Sequence, residues 1–327
     1  MKVLITGGAG YIGSNTALKF LQKNFDVTII DNLSTGSKDL IPKKATFLKS
    51  DISDENKIQK LFNKNNFDIV IHLAAFTRVG ESVKYPKKYF HNNYQKSKIF
   101  FNLCAKNKIN KIIFSSTGSV YGNVDKKNIL EDEITSPINP YSKSKVMVEE
   151  YLKEFKKKKI NVCILRYFNV AGADFLLRSG LKSNPDNLIK AICEYVTGKK
   201  KEMIVNGNNF NTKDGTTIRD YIHVTDLAEM HYIVAKYLIK MRKKSIFEIF
   251  NCGYGKGFSV LDIICEIEKI IKKKIKYKIG PARKGDVSIS VANSDKFKKK
   301  FNWLPKYNSL KIILKSALIW EKYNKKK

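Results

Sequence analysis

The sequence predicts an α/β fold, with a Rossmann-type, doubly wound parallel sheet and a smaller, discontinuous α/β lobe. Three observations support this prediction. Short runs rich in β-branched residues alternate with helical stretches through the first half of the chain, which is the pattern of a parallel sheet. A glycine-rich turn follows the first run directly. The 327 residues exceed the usual size of a single core, so a second lobe is expected.

Six runs in the first half are short, apolar and β-branched, as strands buried on both faces should be. They are VLIT (3–6), VTII (27–30), TFLKS (46–50), IVIHLA (69–74), KIIFSS (111–116) and VCILRYF (162–168). After Phe168 the rhythm breaks, and residues 173–217 are richer in Asn, Gly and Lys. We therefore expect the second lobe to begin there.

Two later stretches are expected to return to the first domain. The sequence pattern of residues 220–238 predicts a short strand and then an amphipathic helix with Asp226 near its start. FEIFNCG (247–253) predicts a seventh buried strand. The predicted first domain is therefore residues 1–169 plus 220–252, and the predicted second lobe is residues 170–219 plus 253–327.

The composition excludes a membrane-spanning or disordered chain. Apolar residues make up 43% and charged residues 28%, and no apolar stretch reaches the roughly 20 residues of a membrane-spanning helix. The chain runs from Met1 straight into a strand, without the charged leader of a secreted protein, which predicts a cytoplasmic location. The five cysteines are scattered and form no C-x-x-C pair, so we expect buried free thiols and no metal site.

A net charge of +32 is the one composition figure that favours a nucleic-acid partner. The lysines, however, are spread along the whole chain, with only short runs at 156–159, 272–274 and 325–327, as solvated helix faces would have. The sequence has no RNA-binding signature, zinc-ligand spacing or basic heptad region. We therefore expect no specific nucleic-acid partner.

The turn TGGAGYIG predicts a dinucleotide site. Gly8, Gly10 and Gly13 match G-x-G-x-x-G between a strand and a helix. Gly7, Gly10 and Gly13 match G-x-x-G-x-x-G. Glycines let the backbone approach a pyrophosphate, which the N-terminus of the following helix stabilises. Asp31, 18 residues after Gly13, would accept a hydrogen bond from a ribose 2′-hydroxyl and repel a 2′-phosphate. This favours NAD over NADP.

Two further strand ends allow alternative interpretations. Asp51, after the third strand, would read an adenine amino group or cap a helix. Leu73, Ala74 and Ala75, after the fourth strand, are small or apolar enough for close approach to a cofactor, although core packing would select them too.

A cluster of hydroxyl groups ends the fifth strand in FSSTGSVY (114–121), and it contains no carboxylate or histidine. Tyr141 and Lys145 follow, four residues apart on a helix predicted to open near Pro140, so their side chains share one face. A free tyrosine, with a pKa near 10, is a poor base at neutral pH. An adjacent ammonium stabilises the phenolate, as the nicotinamide charge of a cofactor would. Tyr141 is therefore the expected base, and an exposed helix pair is the alternative.

Together, TGGAGYIG, Asp31, SST, YSKSK and RYFN resemble the extended short-chain dehydrogenase/reductase family. VGES (79–82), HNN (91–93), DGTTIRDYIHVTDLA (214–228) and RKGD (283–286) narrow the resemblance to its UDP-galactose 4-epimerase branch, over essentially the whole chain. The resemblance implies NAD-dependent 4-epimerisation of UDP-glucose and UDP-galactose, in a homodimer formed through helices flanking residues 85–107 and 141–155.

The resemblance also implies a role for each reactive residue. Tyr141 would remove the proton of the sugar 4-hydroxyl while hydride passes from C4 to tightly held NAD, and the 4-keto sugar would turn over before hydride returns to its other face. Thr117 would hydrogen-bond O4, and Lys145 would hold the nicotinamide ribose. The catalytic residues implied are Thr117, Tyr141 and Lys145. The cofactor residues implied are Gly7, Gly10, Tyr11, Ile12, Gly13, Asp31, Asn32, Asp51, Ile52, Leu73, Ala74, Ala75, Asn92, Ser115, Tyr141, Lys145 and Phe168.

Other activities of the same fold fit the residues less well. The sister dehydratases place Asp and Glu after the threonine, whereas Thr117 is followed by Gly118 and Ser119, which leaves elimination without its acid and base. The alternatives are a reductase that releases its cofactor, and an epimerase acting mainly on N-acetylated or pentose sugars. A non-catalytic NAD-binding regulator or basic nucleic-acid-binding module is the alternative from a different class.

By the same resemblance the second lobe binds the UDP-sugar. The substrate residues implied are Thr117, Asn169, Asn187, Leu188, Arg219, Tyr221, Arg283, Asp286 and Ser290. Arg219 and Arg283 would clamp the diphosphate, because a guanidinium offers paired donors.

Three positions depart from the family pattern. Thr77 stands where a lysine often touches the cofactor phosphate, and Arg78 would substitute for it. Residues 173–188 lack the common acidic, glycine-rich loop. Ser290 stands where some members place a tyrosine, and its small size leaves space for an N-acetyl group. We therefore expect UDP-N-acetylglucosamine to be accepted as well.

Overall fold

The structure is a computed structural model that describes residues 1–124, 128–182, 186–241, 245–283 and 285–325. Its main sheet consists of β1 Lys2–Thr6, β2 Asp26–Asp31, β3 Thr46–Lys49, β4 Ile69–His72, β5 Lys111–Thr117, β6 Asn161–Tyr167 and β10 Phe247–Cys252. The strand order is β10-β6-β5-β4-β1-β2-β3, and the pairs from β3 to β5 are parallel. Because the connections run outwards in both directions from β1 and β4, this order confirms the predicted doubly wound fold.

All seven predicted strands are present, and their ends differ slightly from the sequence prediction. The fourth strand ends at His72, two residues earlier than expected, so Leu73 and Ala74 lie in the loop beyond it. The fifth strand continues one residue further, to Thr117. Both differences place the predicted site residues at the carboxyl edge of the sheet.

Helices cover the strands and connect them. They are α1 Tyr11–Gln22, α2 Glu55–Lys64, α3 Val79–Lys84, α4 Pro86–Tyr89, α5 Lys96–Lys106, α6 Pro140–Lys153, α7 Leu188–Val196, α8 Val224–Lys240, α9 Val260–Ile271, α10 Asp295–Phe301 and α11 Leu310–Lys325. A π-helix, Phe90–Gln95, joins α4 to α5. The predicted opening of a helix at Pro140 is confirmed, and Asn139 caps it by accepting from the backbone N–H of Ser142.

Two smaller sheets hold the remaining strands. The first contains β7 Asn169–Ala171, β9 Ile218–His223, β11 Gly257–Ser259 and β13 Ile289–Ser290, and the second pairs β8 Ile204–Asn206 with β12 Lys278–Gly280. The strand predicted at the start of residues 220–238 exists, but it does not join the main sheet as expected. It is β9, and its partners are β7, β11 and β13.

Packing divides the chain into two units. The first comprises Met1–Val120, Asn139–Arg166 and Ala228–Phe250, and the second comprises Tyr121–Ile138, Tyr167–Leu227 and Asn251–Lys327. Residues 121–138 and 220–227 pack in the second unit, although the sequence analysis placed them in the first domain. Because these units reflect packing and not ligand binding, the assignment of NAD to one domain and of the sugar to the other stays a prediction.

The core of the first unit lies where α2, α5 and α6 pack on the main sheet. Its largest contributors are aromatic: Phe101 of α5 meets Phe100 of the same helix, Phe114 of β5 and Phe155 just beyond α6. Each buried phenyl ring contributes about 1.5–3 kcal/mol relative to exposure. This contact fixes α6 against β5, the two elements that carry the predicted reactive residues.

The cysteines agree with the sequence prediction except at one position. All five are free, and Cys104, Cys163, Cys193 and Cys252 are buried. Cys265 is exposed, because it lies on the outer side of α9, whose buried positions are Ile263, Ile264 and Ile267. In the part of the chain that the structure describes, we find no helix with the length and apolar character needed to cross a membrane.

The glycine turn supplies a first test of the fold. A Cβ atom on Gly13 would overlap the carbonyl oxygen of Gly7, within a turn that has no space to yield. We therefore expect Gly13→Ala to lower the free energy of unfolding by about 1–3 kcal/mol, the usual cost of overpacking. Thermal unfolding followed by circular dichroism measures this change.

Gly80→Ala is the matched control. Gly80 is an exposed residue of α3, and an added Cβ would meet no atom within 4 Å. This variant should be neutral or gain up to about 1 kcal/mol, since alanine restricts the unfolded chain. Equal melting temperatures for the two variants would contradict the tight turn described for Gly13.

Candidate active site

The structure brings most of the predicted cofactor residues to one edge of the main sheet. These residues lie at the ends of five strands. After β1 come Gly7, Gly10, Tyr11, Ile12 and Gly13; at the end of β2 and just after it come Asp31 and Asn32; after β3 come Asp51 and Ile52; after β4 come Leu73, Ala74 and Ala75; and near the end of β5 comes Ser115. In a doubly wound sheet, ligands bind at the carboxyl ends of the strands where the connections diverge. Here that point lies between β1 and β4.

The glycine turn lies directly against the loop that follows β4. Gly7 adopts a positive φ of 71°, and a Cβ on it would lie 2.6 Å from the backbone nitrogen of Ala74. The N-cap of α1 is Gly10, which offers no capping side chain, and the first turn contains no acidic residue. The start of α1 therefore carries neither a capping side chain nor an acidic residue of its own, which suits a phosphate-binding helix terminus.

Asp31 ties the end of β2 to this turn. Its carboxylate accepts from the backbone N–H groups of Ala9, at 3.0 Å, and Leu33, at 2.8 Å. Burial raises the pKa of Asp31, and these two hydrogen bonds act in the opposite direction. A carboxylate oxygen has further lone pairs, so Asp31 retains acceptor capacity for a ribose hydroxyl.

Asp51 has a well-defined set of partners. Lys96 of α5 donates to it at 2.6 Å, and Asn32 and Ser53 also donate to the carboxylate. Although burial acts to raise it, the hydrogen bonds from Lys96 and Ser53 lower the pKa of Asp51 to about 2. The alternative that Asp51 caps a helix is wrong, because Asp54 is the N-cap of α2.

The π-helix contains a residue that the sequence analysis missed. Asn93, next to the predicted cofactor residue Asn92, is buried; its amide accepts from the backbone N–H of Phe76 at 2.9 Å and donates to the carbonyl of Phe76 at 3.0 Å. It also donates to the hydroxyl of Ser144 on α6. The HNN motif contained both asparagines, but only the tertiary structure shows that Asn93 joins the loop after β4 to α6.

His72 is a second residue that sequence reasoning missed. Its Nδ1 lies 2.8 Å from the hydroxyl of Thr6 and its Nε2 lies 2.9 Å from that of Ser97, which donates to the carbonyl of Asn93. Because the Ser97 proton is committed to Asn93, Nε2 carries the histidine proton and Nδ1 accepts. Burial, together with the charge of Lys145, lowers the pKa of His72 to about 3. His72 is therefore neutral and continues a buried hydrogen-bond chain from β1 to the π-helix.

The predicted reactive residues meet where α6 packs on β5. The phenol of Tyr141 hydrogen-bonds with the side chain of Thr117. Lys145 is 2% exposed; its ammonium donates to the carbonyl of Ser115 at 2.7 Å and lies 4.8 Å from the centre of the Phe114 ring. The alternative of an exposed helix pair is therefore wrong for Lys145.

The low pKa expected for Tyr141 is not produced by the chain alone. Burial raises the pKa of Tyr141 to about 12, and the hydrogen bond with Thr117 acts in the opposite direction. The ammonium of Lys145 donates to a backbone carbonyl, and burial lowers its own pKa to about 7. Tyr141 is thus a phenol in this structure, and it becomes a base at neutral pH only when further positive charge is added nearby.

The hydroxyl cluster of residues 114–121 forms a connected set beside Tyr141. The hydroxyls of Thr117 and Ser119 lie 3.0 Å apart, and the hydroxyl of Ser142 lies 2.7 Å from that of Ser119. Each hydroxyl both donates and accepts, so a proton can pass along such a chain. The cluster is therefore a connected hydrogen-bond network, and its part in a reaction stays a prediction.

Apart from Thr117, the predicted sugar residues lie in the second unit, where several of them are on or beside β9. Tyr221 pairs with Asn169 across β9 and β7, and Arg219 pairs with Ser290 across β9 and β13. Arg219 also faces the carboxylate of Asp286 at 3.8 Å. Burial raises the pKa of Tyr221 to about 12, so it stays a neutral hydrogen-bonding group.

The remaining sugar residues lie at the start of α7. Asn187 caps α7 and Leu188 is the first residue of the helix. Arg283 donates to the carbonyl of Asp186 at 3.1 Å, which brings it beside them. In the segment 173–188, Ser183, Asn184 and Pro185 lie outside the described residues.

Three predicted positions stand apart from these groups. Phe168 is the one predicted cofactor residue that packs in the second unit, where its backbone N–H donates to Cys252. Thr77 and Arg78 are exposed, and the backbone N–H of Arg78 donates to the hydroxyl of Tyr89. The proposed substitution of Arg78 for the family lysine stays a prediction.

Comparison with known proteins gives a consistent result over the whole chain. Residues 3–253 match the NAD dependent epimerase/dehydratase family. A UDP-glucose 4-epimerase of Azospirillum brasilense is 37% identical over 324 residues, which cover 98% of this chain and 92% of that protein. The crystal structure of a Bifidobacterium longum UDP-glucose 4-epimerase with NAD+ and UDP is 34% identical, with a TM-score of 0.94 over 99% of each chain. A UDP-Glc/GlcNAc 4-epimerase of Campylobacter jejuni is 39% identical, with a TM-score of 0.84 over 98% of this chain and 99% of that one.

Proposed function

This chain belongs to the NAD dependent epimerase/dehydratase family, and we propose that it is an isomerase that interconverts UDP-glucose and UDP-galactose by NAD-dependent 4-epimerisation. The observation that carries this proposal is the hydrogen-bonded pair of Tyr141 and Thr117, with the Lys145 ammonium buried one helical turn behind it. This arrangement can move a proton at a hydroxyl carbon while a cofactor exchanges hydride with the same carbon. Such an activity would serve galactose metabolism.

The residues at the sheet edge fit NAD. Gly7 and Gly13 allow a tight turn in which a Cβ atom would overlap neighbouring backbone atoms, and the N-terminus of α1 would stabilise a pyrophosphate there. Asp31 presents a carboxylate where a ribose 2′-hydroxyl would be accepted and a 2′-phosphate repelled. NAD bound there would supply the hydride acceptor and, once reduced, the hydride donor.

The protein's own part in the reaction is to take and return one proton. Tyr141 would accept the proton of the sugar 4-hydroxyl and give it back to the opposite epimer. Thr117 would hold O4, and Ser119 would extend the relay. Because burial holds the pKa of Tyr141 at about 12 in the chain alone, the tyrosine is a usable base only beside an added positive charge. The proposed activity therefore depends on a cofactor that stays bound.

The hydroxyl cluster argues against elimination of water. A dehydratase needs a positioned acid and base beside the threonine, whereas Gly118 and Ser119 follow Thr117 here. Proton transfer by Tyr141 alone suffices for epimerisation.

We propose that the sugar nucleotide is held by the second unit. Arg219 and Arg283 would bind the diphosphate, and Asn187 and Leu188 would contact the nucleotide at the start of α7. Tyr221, paired with Asn169 across the small sheet, would add neutral hydrogen-bonding groups.

Replacing the tyrosine tests the proton transfer. Tyr141→Phe should lower kcat by about 10²–10⁴-fold, the usual contribution of a general acid–base. The assay follows the C4 epimers of UDP-glucose by NMR, first without added NAD and then with it. Tyr151→Phe, the same change ten residues later on α6, should keep the parental rate.

Two outcomes would contradict the proposal. One is that the parent protein converts no UDP-sugar even after NAD is added. The other is that Tyr141→Phe retains the parental rate. Release of NAD from each variant on denaturation shows whether a lost rate reflects lost cofactor instead.

The size of Ser290 suggests a broader substrate range. Ser290 pairs with Arg219 of β9, another of the proposed sugar residues, which supports this expectation. We expect parental conversion of UDP-N-acetylglucosamine, and we expect Ser290→Tyr to lower kcat/KM for this sugar by about 10–200-fold, since filling the space would exclude the acetyl group. UDP-glucose should still be converted.

Ser290→Ala is the control, because it keeps the space open. It should convert both sugars at the parental rates, measured in the same NMR assay. Unchanged activity of Ser290→Tyr on UDP-N-acetylglucosamine would contradict the proposal that Ser290 leaves space for the acetyl group.

We also propose that the enzyme is a homodimer formed through residues 85–107 and 141–155. Three apolar side chains near these segments are exposed: Val83 by 42%, Tyr85 by 49% and Met147 by 38%. A charge placed among them should break the dimer, so we expect the parent to sediment as a dimer and Met147→Glu as a monomer. A monomeric parent would refute this proposal.

A cytoplasmic location is proposed on the state of the cysteines. Four buried cysteines and one exposed cysteine are free thiols, which persist in reducing compartments. Cell fractionation tests this location, and recovery of the protein outside the cytoplasm would contradict it.

A further inference from the structure

Glu149 extends the face of α6 that carries the reactive pair. Tyr141, Lys145 and Glu149 are spaced i, i+4 and i+8, so their side chains follow one another along one face of the helix. Glu149 is only 3% exposed. A buried carboxylate is costly unless it is paired and hydrogen-bonded, so its partners show how it is held.

Two neighbouring strands hold the Glu149 carboxylate. Arg166 of β6 donates from Nε to Oε1 at 3.2 Å and from Nη2 to Oε2 at 2.6 Å. Ser116 of β5 donates its hydroxyl to Oε1. Arg166 is itself 4% exposed, so this is a buried, two-point pair of matched planar groups. The carboxylate is therefore fixed in one position.

The same carboxylate sets the register of α6 on β5. Lys145 donates to the backbone carbonyl of Ser115. One turn later, Glu149 accepts from the side chain of Ser116. Two successive turns of the helix thus hold two successive residues of the strand, and Thr117 is the next residue along.

Lys145 faces ionisable groups from several elements. Glu149 on α6 and His72 on β4 interact with it electrostatically, and Arg166 on β6 lies behind Glu149. One turn earlier on α6, the ring of Tyr141 packs against Tyr89 of α4. Burial lowers the pKa of Lys145 to about 7, and the charge of Glu149 acts in the opposite direction. Glu149 is the only carboxylate in this set.

We propose that Glu149, oriented by Arg166 and Ser116, is a positioning residue that keeps Lys145 protonated and holds Thr117 in register with Tyr141. The inference rests on the proposed epimerase activity and deepens it. The negative charge of Glu149 partly compensates for the cost of burying the Lys145 ammonium. Without this carboxylate, Lys145 would lose its proton at a lower pH. The neutral amine no longer stabilises a phenolate, and the reaction slows.

The test is the pH dependence of kcat for UDP-glucose in Glu149→Gln. On the alkaline side of the profile of kcat against pH, kcat falls as Lys145 loses its proton. This alkaline limb should move to lower pH by about one unit, which lowers kcat about tenfold at the pH values of the limb. KM should change little, because Glu149 does not touch the sugar. Arg166→Lys keeps both charges and should keep the parental limb, even if it lowers the melting temperature.

Glu149→Gln removes the carboxylate charge opposite the buried Arg166, so it is tested together with a second variant that removes both charges. In Glu149→Gln/Arg166→Gln the limb should lie between those of Glu149→Gln and the parent. If Glu149→Gln does not fold, the position of the alkaline limb in the double variant alone tests the role of Glu149. Glu150→Gln, at an exposed neighbouring position on α6, should match the parent throughout.

The outcomes separate this inference from the proposed function. A parent protein that converts no UDP-sugar refutes the proposed function. If the parent is active and its alkaline limb coincides with that of the folded double variant, the proposed role of Glu149 is overturned, while the proposed function still holds. A shifted limb in Arg166→Lys, equal to that in Glu149→Gln, would also overturn it, since the charge would then be irrelevant.

Discussion

The buried ammonium of Lys145 is the constraint on which the reactive site depends. Removing an ammonium from water costs several kcal/mol, so the structure around it must compensate. The carbonyl of Ser115 accepts its hydrogen bond and the ring of Phe114 lies beneath it. Both partners belong to β5, so the ammonium can be accommodated only with α6 seated against this strand. That seating is what places Tyr141 beside Thr117.

The electrostatics of the chain alone do not make a base. Burial raises the pKa of Tyr141 and lowers that of Lys145, since both charged forms are disfavoured in the core. His72, whose pKa is about 3, adds no charge. A phenolate therefore requires positive charge from outside the chain, and the proposed cofactor carries it. Base strength would then be coupled to cofactor binding, which favours an enzyme that retains NAD between turnovers.

The sequence predicts what local patterns encode. The strands of the main sheet, the glycine turn and the Tyr141–Lys145 pair follow from periodicity and short motifs, and the structure contains them. The partners of β9 were not predictable, because strand pairing across distant segments leaves no local signal. The same holds for Asn93 and His72, whose roles arise from contacts across elements. The rise in the pKa of Tyr141 could not be predicted either, because burial depends on packing, which spacing along a helix does not reveal.

The absence of a carboxylate from residues 114–121 has a different meaning in three dimensions. The sequence of the strand end contains none, yet the fold brings Glu149 to the hydroxyl of Ser116. Both oxygens of this carboxylate are occupied by Arg166 and Ser116, so it is not available to donate or accept a proton at a substrate. In the proposed reaction, a carboxylate next to the site would support the position and charge of Lys145, while proton transfer would be carried out by Tyr141 and Thr117. This division of roles suits a reaction that moves a proton and a hydride and eliminates nothing.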